Sequence, residues 1–145
     1  MNGSQIEPLS QRPSLPRSAR LRAKLAFRLL WAGAIVMVML GSFLPGSSWL
    51  MKLADRLVLS DSIRHWTGYA VVTGLPLFYE NGKFRVRIAV GAFLMGVLIE
   101  ILQGATGRDF EFSDICWNGC GVASGVLGVL GVRRWLKHPA APPPL

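Results

Sequence analysis

Charge is what this sequence has least of. Asp, Glu, Lys and Arg together make up 17% of its 145 residues, where an ordinary soluble domain carries about 25%. Apolar residues, 51% of the chain, run in blocks, and the charges sit between the blocks. A soluble fold of this length would spread its charges along amphipathic elements, so the segregation argues against one. Cysteine and histidine are also few, two of each. Cys116 and Cys120 lie inside one apolar block at a spacing that is not Cys-x-x-Cys, so no metal or redox pair is indicated. One helix turn is a poor setting for a disulfide, and the two read as small packing residues. No metal-spaced histidine pair, nucleophile motif or phosphate-binding loop occurs, and neither a metal nor another cofactor is expected. Acid is the minority sign: the net charge is +8. Nucleic acid is one reason for a basic chain. Here the basic residues flank apolar blocks in short clusters, with no zinc-finger or RNA-binding signature, so nucleic acid is not an expected partner. Retention of loops on the cytoplasmic side of a membrane explains the excess instead.

What is present reads as an all-α integral membrane four-helix bundle. Residues 1–24 hold Pro8, Pro13 and Pro16 beside Arg12, Arg17, Arg20, Arg22 and Lys24, and read as a disordered basic N-terminal tail. A four-span membrane domain follows over residues 25–138, with spans at about 27–44, 63–79, 86–104 and 115–132. Each approaches the roughly 20 residues that cross a hydrocarbon core of about 30 Å; the second is the shortest. No A-x-A-like cleavage site follows the first, so it is an uncleaved span rather than a signal peptide. Between spans one and two, Leu50, Leu53, Ala54 and Leu57 recur at helical spacing while Lys52, Asp55 and Arg56 fall elsewhere on the wheel. That pattern suits a short interfacial helix over residues 49–59. Pro76 is expected to kink span two near its inner end. Residues 139–145 form a proline-rich disordered tail. Gly121, Gly125, Gly128 and Gly131 give span four a smooth face, read as packing within the chain rather than dimerisation.

Lys and Arg set the orientation. Arg12, Arg17, Arg20, Arg22, Lys24, Arg28, Lys83, Arg85, Arg87, Arg133, Arg134 and Lys137 fall on one side, and Lys52, Arg56, Arg64 and Arg108 on the other. Positive residues are retained in the cytoplasm, so both termini are placed there. Trp31 and Trp135 then fall near the inner boundary, and Trp49, Trp66 and Trp117 near the outer.

The costly residues collect at the outer ends of three spans. Glu100 and Gln103 share one face of span three, and Asp114 and Asn118 share a stripe of span four. His65 opens span two with Tyr69 one turn below, and Arg108 lies in the loop between spans three and four. A carboxylate facing lipid would cost about 2.5–3.5 kcal/mol, so Glu100 should face the interior, paired with Arg108 or His65 or protonated. One outward-opening pocket of His65, Tyr69, Glu100, Gln103, Arg108, Asp114 and Asn118 is expected. The plainer alternatives are Ser113 or Asp114 as a helix cap, Asn118 as a helix–helix hydrogen bond, His65 as an exposed interfacial residue, and Tyr69 as packing.

The stretch Glu100-x-x-Gln103, Gly107-Arg108-x-Phe110 and Ser113-Asp114-x-x-x-Asn118-x-x-Gly121 closely resembles the core of VanZ-like membrane proteins. Asp61-x-x-x-His65-x-x-x-Tyr69 resembles that family's second-helix motif, and Ser62 stands where the family usually has a lysine. The resemblance covers roughly residues 61–125. It implies a four-helix protein of the bacterial inner membrane, linked through the family's name-giving member to low-level resistance to the glycopeptide teicoplanin. Expected partners are membrane lipids and a lipid-linked cell-wall precursor or anionic headgroup. Three functions compete. The first is binding of such a molecule by the outer pocket, with Arg108 for an anionic group. The second is an enzyme at the outer leaflet, with Glu100 or Asp114 as base and His65 as acid or base. The third, ranked last, is a proton-coupled transporter relaying through Glu100 and His65.

Overall fold

The computed structural model describes residues 16–45, 47–57, 60–80, 82–105 and 110–137. Among these the chain is helical throughout its elements, with no strand: α1 (Arg17–Phe43), α2 (Trp49–Leu57), α3 (Asp61–Tyr79), a 3-10 turn (Gly82–Phe84), α4 (Arg85–Ala105) and α5 (Phe112–Lys137). Helix α1 opens at Arg17, directly after Pro16. Residues 17–24 are therefore helix rather than tail, a correction to the reading from composition. Arg, Leu, Ala and Lys are among the strongest helix formers, and polarity alone does not reveal it. The rest of the two expected tails, residues 1–15 and 139–145, lies outside the described residues.

Three helices are long and apolar enough to cross a membrane: α1, the stretch Gly82–Ala105, and α5. Helix α3 is not among them, and its packing supplies the reason. It packs against each of α1, α4 and α5, and buries Tyr69, Val72, Thr73, Gly74, Pro76 and Leu77. A helix face that meets protein can carry polar side chains that a lipid-facing one cannot. The outer helices show the opposite pattern. Leu29, Met37, Leu94, Leu98 and Leu127 are exposed, while Ala34, Ile35, Val38, Ala89 and Met95 pack on a core of Tyr69, Val72, Ala92 and Val122.

Long-range hydrogen bonds fix how the ends align. Tyr79 Oη at the end of α3 donates to the Ala23 carbonyl near the start of α1. Gln103 Nε2 at the end of α4 donates to the Ser42 carbonyl at the end of α1, 2.7 Å away. Arg133 at the end of α5 donates to the carbonyls of Leu77 and Phe78, at 2.6 and 3.1 Å, satisfying orphan acceptors in the last turn of α3. Helices α3 and α5 therefore run parallel to each other and antiparallel to α1 and α4. One end gathers Ser42, His65, Glu100, Gln103 and Asp114. The other gathers Lys24, Arg28, Arg85, Arg87 and Arg133.

The α3–α5 contact is a close one because α5 lacks side chains where α3 passes. A β-carbon on Gly121 would meet the Trp66 carbonyl oxygen and, at 3.1 Å, the Ala70 nitrogen. One on Gly125 would lie 2.6 Å from the Ala70 carbonyl oxygen. Gly128 and Gly131 face open space, so the smooth face read over all four glycines is confined to the first two, and it serves packing inside the chain. Cys116 and Cys120 are exposed, not the packing residues expected of them: the face of α5 that meets α3 is the glycine face.

Pro76 sits inside α3 without ending it. Having no N–H, it leaves the Val72 carbonyl, four residues earlier, without its helical donor. The indole Nε1 of Trp31 on α1 donates to that carbonyl at 2.9 Å. Helix α2 agrees with the expected short amphipathic helix in position, with Met51 buried and Leu53 and Leu57 exposed. Ser60 caps α3, accepting from the Ile63 amide. Helix α5 begins at Phe112, so Ser113 and Asp114 lie in its first turn rather than capping it.

Candidate functional site

The site is built around one imidazole. His65 stands one turn into α3, and the parallel course of α3 and α5 brings the first turns of α5 beside it. Asp114 and Asn118, four residues apart on one face of α5, take opposite sides of the ring. Asn118 Oδ1 lies 3.0 Å from His65 Nδ1, and Asp114 Oδ2 lies 3.2 Å from Nε2. Glu100 of α4 comes to 3.9 Å of Nδ1 with its side chain 1% exposed. Three helices thus contribute to one cluster.

Its burial is graded. Glu100 and Asn118 lie within, while the side chains of His65 and Asp114 are 14% and 13% exposed and form the accessible edge. The hydrogen-bonding pattern has a chemical consequence. A carbonyl oxygen only accepts, so His65 Nδ1 carries the proton toward Asn118. Asp114 on the other nitrogen is also an acceptor when ionised. A neutral ring therefore places two acceptors face to face, whereas a doubly protonated ring donates to both Asn118 and Asp114.

Of the seven residues expected together, His65, Glu100, Asp114 and Asn118 converge. Tyr69 is buried directly beneath: its ring and the Asn118 amide both press on Gly96 of α4, where a β-carbon would lie 3.1 Å from Tyr69 Cζ and 3.0 Å from Asn118 Nδ2. Its hydroxyl and Asn118 Nδ2 are buried with no hydrogen-bond partner among the described residues. Gln103 Nε2 ties α4 to α1 through the Ser42 carbonyl, a helix–helix contact. Arg108 lies outside the described residues; the near partner of Glu100 that the structure describes is His65.

Two neighbouring residues lie outside the seven expected in the pocket. Asp61, one turn before His65, brings a carboxylate so that Asp61, His65 and Asp114 offer three ligand atoms within 4.8 Å of one another. A cation there would compete with Arg64, whose guanidinium already holds Asp61 Oδ1 at 2.6 and 3.0 Å. Ser124 accepts from Trp66 Nε1 at 3.0 Å, a further tie between α3 and α5. The i, i+4 spacing of Asp61 and His65 was the available signal for the first; no local pattern marks the second.

No family model, curated protein or solved structure matches the chain. The cluster presents a largely buried histidine–aspartate edge, with a small accessible fraction, over a buried carboxylate and amide, suited to receiving a polar or charged group and to exchanging a proton with it.

Proposed function

We propose that the chain is a VanZ-like, multi-pass protein of the bacterial inner membrane, a four-helix bundle with both termini in the cytoplasm. On this reading the His65 cluster faces outward and binds a lipid-linked or cell-envelope molecule, with an effect on teicoplanin susceptibility. The observation that carries it is the meeting of His65, Asp114 and Asn118 within 3.2 Å, with Glu100 buried behind them. Ionisable groups inside membrane helices are costly and are kept where they bind or relay something. The basic end of the helices supports that orientation through positive-inside retention, and the residue pattern from Asp61 to Gly121 is the support for the family. Arg108, in the adjoining loop, is assigned to an anionic part of the ligand.

Expression in a glycopeptide-sensitive bacterium, with His65→Ala, Asp114→Ala and Arg108→Ala beside the parent chain, tests this. A shift in the teicoplanin inhibitory concentration that the variants abolish supports it; identical values for all strains, empty vector included, reject it. The enzyme reading is favoured by one specific feature, the placing of His65 between two carboxylates, which suits general acid–base chemistry. Turnover of an undecaprenyl-linked precursor by the purified protein, lost in His65→Ala, would establish it over simple binding.

A further inference from the structure

The basic end carries a second site, away from the His65 cluster. Two adjoining hollows open there between α1, α3 and α4. The larger, about 560 Å³, is bordered by Lys24, Arg28, Tyr79 and Glu80. The smaller, about 310 Å³, is walled by Ile35, Val72, Ala92 and Met95, with Arg87 as its charged residue. Trp31, Phe84 and Ile88 line both, so they form one cleft.

We propose that this cleft binds an anionic phospholipid, its phosphate held by Lys24, Arg28 and Arg87 and one acyl chain laid along Ile35, Ala92 and Met95. The cleft has the division such a ligand has. Its mouth is cationic: Lys24 and Arg28 line the larger hollow with Glu80 as its acid, Arg87 lines the smaller, and Arg87 and Lys83 each stand 5.6 Å from the centre of the Phe84 ring. Its depth is apolar. A soluble anion would use the first part and leave the second empty, whereas a phospholipid fills both. Basic pockets between helices on the cytoplasmic side recognise anionic headgroups in this way.

The helices explain why the cleft exists. Along its apolar stretch α1 buries no residue, and its main packing partner is α3 rather than α4. Trp31 and the Phe27–Tyr79 ring contact hold α1 against α3 and leave its α4 side open. Gly91 of α4 keeps the cleft wide, since a β-carbon there would meet nothing within 4 Å.

The site rests on the membrane placement proposed above but on none of the residues of the His65 cluster. Detergent-purified protein is titrated with phosphatidylglycerol or with phosphatidylcholine of the same chains, and bound lipid is counted by native mass spectrometry. Phosphatidylglycerol is expected to bind tighter. The Lys24→Gln, Arg28→Gln, Arg87→Gln variant should lose that preference, on the order of 10- to 100-fold in affinity, and Arg134→Gln with Lys137→Gln should not. Gly91→Leu, which fills the cleft without touching a charge, should weaken binding of phosphatidylglycerol but not of glycerol phosphate. Equal affinity for the two lipids, an unaffected triple variant, or glycerol phosphate competing as strongly as the intact lipid would overturn the site. A chain that does not fractionate with membranes refutes the placement itself, independently of any titration.

Discussion

At the scale of single residues, two buried polar groups define what the molecule cannot do without. Glu100 would be costly in lipid, and the structure buries it beside His65 rather than exposing it. Removing the imidazole takes away the partner described for Asn118 Oδ1, so His65→Ala should lower stability by about 1–3 kcal/mol. Glu100→Gln in that background should recover part of the loss, because a neutral amide is cheaper to bury than a carboxylate. Thermal unfolding of the four members of that double-mutant cycle in detergent measures the coupling, and simple additivity would dissociate the two residues. The second group is the Val72 carbonyl. Trp31→Phe strands it and should cost about 1–3 kcal/mol, whereas in a Pro76→Ala chain the restored backbone N–H takes over and the same substitution should cost clearly less. Helical spacing made His65, Glu100, Asp114 and Asn118 legible as members of inward faces. It could not separate them from Gln103, because spacing tells which residues share a face of their own helix and not which neighbour that face meets.

At the scale of elements, the glycines of α5 sort by partner rather than by pattern. Gly121→Ala and Gly125→Ala drive a methyl into the backbone of α3, and backbone cannot turn aside as a side chain can; each should destabilise by about 1–3 kcal/mol. Gly128→Ala and Gly131→Ala meet nothing and should be neutral or stabilise by up to about 1 kcal/mol through helix propensity. Unfolding midpoints of the four single variants separate the two pairs, and four similar losses would contradict the α3–α5 packing described. Apolar runs located every long helix to within a few residues at its apolar end. They erred where a helix continues into polar sequence: α1 begins ten residues before the expected span, at Arg17, and α5 runs on to Lys137. Basic side chains end the apolar signal without ending the hydrogen-bonded ladder.

At the scale of the whole molecule, charge separation between the two ends supports the proposed orientation. With Cys116 and Cys120 replaced by Ser, Ser47→Cys should react with an impermeant maleimide on intact cells and Lys137→Cys only after permeabilisation; the reverse labelling would invert the bundle. Sequence by itself determined that the chain is helical, where its long apolar helices lie, and which residues are too costly to face lipid. Those properties follow from chain-local quantities: hydropathy, helix period and turn chemistry. Tertiary structure alone decided that α3 is the central helix, that His65 meets Asp114 and Asn118 while Gln103 turns to α1, and that α1 and α4 part over a basic cleft. Each of these depends on which helix lies beside which, and that choice is made by steric fit at Gly121, Gly125 and Gly96 acting between segments distant along the chain.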